Sequence, residues 1–328
     1  MTYNEFKNEI MESVQKKLNE TAGSDFKVET HVFDKVNYSY EGLCICDESK
    51  ESSSSPIFNI ERFYDEYTQG RKTDDLAEEI VDIFKNTMNV REQHMDMISD
   101  AYKDDSRIRD NIIFQLVNTE QNYNVLSDIP HREVEDLSVI YRWIVKEDAE
   151  GLNSVIVNNK LADKLSLDEE QLYKLAYENT RRIMPPVVKA LSSVVKEMIN
   201  NTGMSETFDA NEVPDNLNMW VVTNDRCLNG ATTILYDDVL DVISEKLGND
   251  IYILPASVHD VIVVPATFGD PDSLAMMVTD INMANVELAE RLSNQVYLYD
   301  RDTRKLSMAT CTQYTKLEYP VSQYNQGR

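Results

Sequence analysis

The chain has 328 residues, 42% of them hydrophobic and 27% charged, with 32 basic against 58 acidic side chains and a formal charge of −26. That length and balance suit two modest globular domains, or one large one, able to bury a real core. The charge excludes a typical nucleic-acid binder or a ligand of anionic membranes, since both need a positive face and no Lys/Arg block supplies one.

The first twenty residues read as a helix, because Phe6, Ile10, Val14 and Leu18 recur every fourth position. "FKVETHVF" and "KVNYSYEGLCIC" alternate in period two and predict strands. "ESKESSSSP" is a solvated loop, and "PIFNIERFYDEYTQG" a short strand running into a helix. "TDDLAEEIVDIF" predicts a helix capped by Thr73, burying Leu76, Ile80 and the Ile83/Phe84 pair. "IRDNIIFQLVN" favours a strand. "LSVIYRWIV" and "NSVIVNN" pair around "KEDAEG". Ser166 and Glu169 fit a capping box ahead of Leu172, Leu175 and Ala176. Pro185 and Pro186 interrupt the chain, and "VVKALSSVVKEMINN" resumes it as a helix.

Residues 203–218 are polar and Pro/Gly-marked and predict a linker. It separates an N-terminal α+β lobe, 1–202, from a C-terminal α+β lobe, 219–328. In the second lobe "MWVVTN" and "ATTILY" read as strands. "DDVLDVISEKLG" is a helix capped by Asp237 or Asp238 and closed by Gly248. Ile251–Leu254 and Val261–Val264 are two strands of a hairpin. A helix follows over about Asp272–Leu292, and "QVYLYDRDTRKLSM" is a last hairpin turning at Arg301–Arg304. The order β-β-α-β-β-α-β-β predicts an antiparallel or mixed sheet with helices on one side. Its expected core includes Val221, Ile234, Leu240, Ile243, Ile253, Ile262, Val264, Met277 and Leu298.

Two places carry residues able to do chemistry. In "PASVHD", Ser257, His259 and Asp260 gather at one sheet end. A Ser-His-Asp set needs its base to reach the nucleophile, whereas neighbours on a strand point to opposite faces. No G-x-S-x-G elbow is present. The structural reading, a stabilised turn with His259 bonded to backbone, is preferred. In "PHREVEDLSVIYR", His131, Glu133 and Asp136 offer a base and two carboxylates. His131-Arg132-Glu133 matches half of the H-x-E zinc-deaminase signature, but its P-C-x-x-C half is missing. The plainer reading is a loop and helix start with Arg132 paired to an acid. Cys44 and Cys46 share a strand face, and no second pair completes a zinc set. With Cys227 and Cys311 they are too few for a disulfide scaffold, so reduced thiols in cytoplasm are expected. No phosphate-cradling glycine motif occurs. No metal, cofactor, membrane segment or signal peptide is expected.

"SPIFNIERFYDEYTQGR", "LVNTEQN", "PHREVEDLSVIYR", "LYKLAYENTRRIMP", "NGATTILYDDVLDVISEKLG", "DIYILPASVHDVIVVP" and "LSNQVYLYDR", in that order, resemble an uncharacterised domain-of-unknown-function family of gut Gram-positive bacteria. The span Met219–Met308 is more distantly similar to a second uncharacterised Gram-positive cytoplasmic family. The resemblance implies a bacterial, cytosolic protein and no catalytic residue to carry over. The favoured function is a non-enzymatic factor working through a protein partner, given the missing motifs and 17 tyrosines, a residue suited to interfaces. The alternatives are a hydrolase-type enzyme using His131, Glu133, His259 and Asp260, and an acidic mimic of DNA phosphate.

Overall fold

The computed structural model describes residues 1–22, 26–47, 56–148, 151–201, 214 and 218–310. Residues 48–55 of the expected loop "ESKESSSSP", most of the expected linker 203–218, Cys311 and the residues after it lie outside the described residues. The fold is α+β, and among the described residues every strand pairing is antiparallel. The chain forms two compact units, parted between Asp104 and Asp105.

In the first unit, helix α1 (Tyr3–Ala22) turns Phe6, Ile10, Val14 and Leu18 inward. They meet Leu43, Ile45, Leu76, Ile80 and Phe84 in one core. Strands β1 (Phe26–Lys35) and β2 (Tyr38–Asp47) form a ten-residue hairpin, and β3 (Ile57–Asn59) adds to β2. Helix α2 (Ile60–Thr68) follows, capped by the Asn59 carboxamide. Helix α3 spans Thr73–Tyr102. Thr73 is its first residue rather than its cap. Phe84 is buried, but Ile83, one residue round the helix, faces out.

The second unit begins with α4 (Asp105–Arg109) and β4 (Ile112–Asn118), a strand buried at every position. After α5 (Tyr123–Leu126) come β5 (His131–Val134), β6 (Leu137–Asp148) and β7 (Gly151–Ile156). They complete a sheet in which β6 pairs with β4, β5 and β7. His131–Val134 is thus a strand, not a loop leading to a helix. Its partner Leu137–Ile140 supplies the ladder that local sequence did not reveal. Helix α6 (Asn159–Lys164) leads to α7 (Glu169–Ile183). Asp168 caps α7: its carboxylate accepts the Gln171 N–H, and Gln171 answers its backbone N–H. Ser166 sits instead in a left-handed turn, φ 51°.

"PVVKA" forms strand β8 (Pro186–Ala190) before helix α8 (Leu191–Asn201). Pro186 has no N–H to donate, which suits the first residue of an edge strand. β8 pairs with β9 (Trp220–Asn224) across residues 203–218. The strands flanking that segment therefore share one sheet. "ATTILY" is not a strand. Gly230–Leu235 is a 3-10 turn, in which the Thr232 and Thr233 hydroxyls donate back to the carbonyls of Asn229 and Gly230. Such local bonds compete with ladder formation. Helix α9 (Asp237–Leu247) has Tyr236 at its N-cap position without a side-chain capping bond, Asp237 and Asp238 falling inside its first turn instead, and it ends on Gly248 at φ 70°.

Strands β10 (Ile251–Leu254), β11 (Val261–Pro265), β12 (Tyr297–Asp300) and β13 (Lys305–Met308) complete a six-stranded sheet ordered β13-β12-β10-β11-β9-β8. Helix α10 (Pro271–Asn285) is capped by Asp270 and ends ahead of the expected Leu292. It packs on Leu254, Val264 and the half-buried Tyr252 and Ile262. The other sheet face presents Ile251, Ile253, Val263, Tyr297 and Tyr299, and the Tyr299 hydroxyl donates to Asp241 of α9 at 2.7 Å. Helices therefore cover both faces rather than one. This is why both apolar runs are continuous. Of the expected core, Ile234, Leu240, Ile243, Ile253 and Val264 are buried. Val221, Ile262 and Leu298 are half-buried, and Met277 is exposed.

Candidate functional site

The β10–β11 connection is held by the segment Leu288–Gln295. Val258 N–H donates to the Glu290 carbonyl at 2.9 Å, Leu292 N–H to Ala256 at 3.2 Å and Ser293 N–H to Pro255 at 3.1 Å. Ser257 Oγ accepts the backbone N–H of His259 at 3.0 Å. The His259 ring faces elsewhere. Its Nδ1 accepts the Asn229 N–H at 3.3 Å, so the ring proton lies on Nε2, 3.5 Å from Glu290 Oε1. The His259 carbonyl accepts from Thr223 Oγ1 at 2.7 Å. Gly230 makes this possible: a Cβ there would stand 2.4 Å from that carbonyl and 2.2 Å from Thr223 Oγ1. Asp260 is half-buried, and that burial pushes its carboxyl above the ordinary carboxylate range, with His259 pulling the other way.

Asp136 reaches the same segment from the β5–β6 turn, where Glu135 takes φ 57°. Its carboxylate accepts from Ser293 Oγ at 2.7 Å and from the Tyr297 hydroxyl. Burial pushes its carboxyl up, and the two hydroxyls only partly offset this. The fully buried Tyr297 hydroxyl is pushed up by the same burial and by the Asp136 charge. Asp136 is thereby joined to "PASVHD" through Ser293. His131 and Glu133 share one side of β5, and the His131 ring lies 3.1 Å from the Ile129 carbonyl. Neither bonds to the connection among the described residues. Arg132, on the opposite side, forms a fork with Glu169 (2.9 and 2.7 Å) and lies 3.9 Å over the Tyr173 ring. That pair ties β5 to α7. Among the described residues no group of three or more His, Cys, Asp or Glu is placed to hold a metal ion.

Two expectations follow. His259→Asn keeps an acceptor near Nδ1 and should melt within about 1 kcal/mol of wild type. His259→Leu strands the Asn229 N–H and should lose roughly 1–3 kcal/mol. Equal melting of the two variants by calorimetry would remove the backbone role of the ring. For Asp136, the folded carboxyl holds its proton to higher pH than the unfolded one. Its contribution to stability is present in full below the unfolded pKa and is lost as pH rises through the raised folded value. Asp136→Asn cannot titrate. Urea melts at pH 4 and pH 7 should therefore show wild type losing more stability than the variant over that rise. Parallel losses would contradict the burial of this carboxylate.

The feature that sequence reading misplaced is the outer side of α10. Leu274, Ala275, Val278 and Asn282 face the sheet. The opposite side carries Met276, 63% exposed, Met277, 45%, and Met283, 44%, and Ile281, 43% exposed, lies at its flank beside the packed residues. Helical spacing puts Asp280 amid Met276, Met277, Met283 and Ala284. Phe268, just before the helix, is exposed as well. The signal was legible in "LAMMVTDINMAN", which is apolar around the whole helix. A helix of that kind is either buried all round or waiting for a partner.

The model of a family of unknown function, DUF5688, matches residues 3–301. No curated protein and no solved structure matches the chain. Among the described residues no helix is long and apolar enough to cross a membrane.

Proposed function

We propose that this chain, which belongs to the DUF5688 family over nearly its whole length, works by binding a protein partner through the outer side of α10. One observation carries the reading: a row of exposed methionines, flanked by Ile281, on a helix whose other side is already packed. Contiguous exposed apolar surface marks interaction sites in soluble proteins. Methionine is flexible and polarizable, fits partners of varied shape, and is enriched at interfaces where charge is depleted. The hydrolase alternative needs the His259 ring free to take a proton, and both ring nitrogens are engaged, by Asn229 N–H and toward Glu290.

The test compares affinity capture from the native host by wild-type chain and by the triple variant Met276→Gln, Met277→Gln, Met283→Gln. A stoichiometric partner recovered by wild type and lost by the triple variant, at equal melting temperature, is the expected result. Equal recovery by both would move the interaction elsewhere.

A further inference from the structure

We propose that the occupant of the α10 face is a cationic amphipathic helix of the partner protein. This rests on the reading of α10 as an interaction face. The argument is one of charge complementarity at a defined place. Between Lys246 and Arg291 the sequence has no Lys or Arg, while Asp270, Asp272, Asp280, Glu287 and Glu290 fall along α10 and its flanks. All five are exposed at the surface. Arg291, the next base, is buried, and its Nε donates to the Val286 carbonyl at 2.9 Å. Its Nη1 donates to Met283 Sδ at 3.5 Å, so this one cation is buried beneath an end of the methionine surface and is not exposed on it.

Asp280 decides the chemistry. It stands in the middle of the methionine surface, so any partner that covers Met276 and Met283 also covers Asp280. Burying a carboxylate without a counter-charge carries an ion-desolvation penalty that nothing in the contact offsets. A neutral apolar partner therefore meets a penalty at the centre of its own contact. A second copy of this chain is worse placed: it brings the same acids and a like charge of −26. A partner helix that presents apolar residues at i, i+3, i+4 and i+7, with Lys or Arg beside them, fills the methionine surface and pairs Asp280 at once. Its flanking cations meet Asp272 and Glu287 at the rim, where they raise the association rate more than the affinity.

The probe is a fluorescent 14-residue Leu/Lys peptide with helical periodicity. Its control is a peptide of the same composition alternating Leu and Lys with period two. Binding of each to the full chain is read by anisotropy at ~0.15 M salt, where the screening length is about 8 Å. The expected result is that the helical peptide binds at least about tenfold more tightly than the control, a difference of about 1.4 kcal/mol. Asp280→Asn should weaken it, the triple methionine variant should weaken it further, and Glu12→Gln with Glu20→Gln in the first unit should leave it unchanged.

Equal binding of the two peptides, or no effect of Asp280→Asn, would show attraction by net charge only and overturn the proposal. A dimer in sedimentation that the triple variant abolishes would make a second copy the occupant and overturn it too. The two readings also part in the host capture experiment. If the methionine variant loses the partner while Asp280→Asn and raised salt leave it bound, the face stands and the cationic helix falls. If the methionine variant keeps the partner, the face itself falls.

Discussion

Ile253→Asp should leave the second unit unfolded or insoluble. Ile253 is wholly buried in β10, the strand between β12 and β11, where Tyr297 and Val263 stand opposite it. Removing a buried aliphatic side chain of this size typically costs about 2–5 kcal/mol. The carboxylate adds the penalty of an ion with no partner in a dry layer. Together these reach most of the ~5–15 kcal/mol that holds a domain folded. Ile253→Val, which keeps shape and polarity, should lose only about 0.5–1.5 kcal/mol. Thermal melts of the two variants settle the point. A soluble, cooperatively melting Ile253→Asp chain at the wild-type temperature would remove Ile253 from the core.

Gly230→Ala should be the most damaging single-methyl addition in the second unit. The added Cβ would meet two hard neighbours, the His259 carbonyl at 2.4 Å and the Asn224 nitrogen at 2.9 Å, besides Thr223 Oγ1 at 2.2 Å. The first two are backbone atoms on β9 and on the β10–β11 connection, and neither can swing aside as a side-chain tip can. Overpacking of this kind costs about 1–3 kcal/mol and occasionally more. The strain should also break the Thr223–His259 bond, worth about another 1 kcal/mol. For a unit of this size each kcal/mol lowers the melting temperature by about 2–4 °C. In a Thr223→Ala background the loss should shrink without vanishing, because the carbonyl clash remains. A Gly230→Ala chain that melts with wild type would mean that the 3-10 turn can lift off β9 at no cost.

Much of the fold was legible locally. The four-residue recurrence of Phe6, Ile10, Val14 and Leu18 gave α1 its buried side, and period-two alternation marked the β1–β2 hairpin. Pro255 ended β10, and β11 returned beside it. The continuous runs in β10 and β11 already asked for cover on both faces. The errors are of one kind. "VVKA", "HREV" and "ATTIL" are short, and their state depends on what lies beside them. A partner strand made the first two into ladder, and the close approach of Gly230 to β9, with the threonine hydroxyls, coiled the third. The capping box of α7 moved two residues because Asp168, not Ser166, stood at the turn where its carboxylate could meet Gln171 N–H.

The candidate residues divide in the same way. Composition alone determined that this is an acidic, globular chain without the motifs of nucleotide, dinucleotide or zinc chemistry, because charge balance and motif spacing are properties of sequence. Sequence also singled out "PASVHD" and "PHREVED" as the places where polar groups gather between apolar runs. Tertiary structure decided what those groups face. It brought Asp136 to Ser293 and Tyr297, turned the His259 ring to Asn229 N–H and Glu290 rather than to Ser257, and set Arg132 against Glu169. It also decided which side of α10 is free. Periodicity distinguishes sides only where apolar and polar residues alternate around a helix, and "LAMMVTDINMAN" has apolar residues on every side. Which methionines are core and which are surface depends on where the sheet lies, and that is fixed by pairing between strands far apart in the chain.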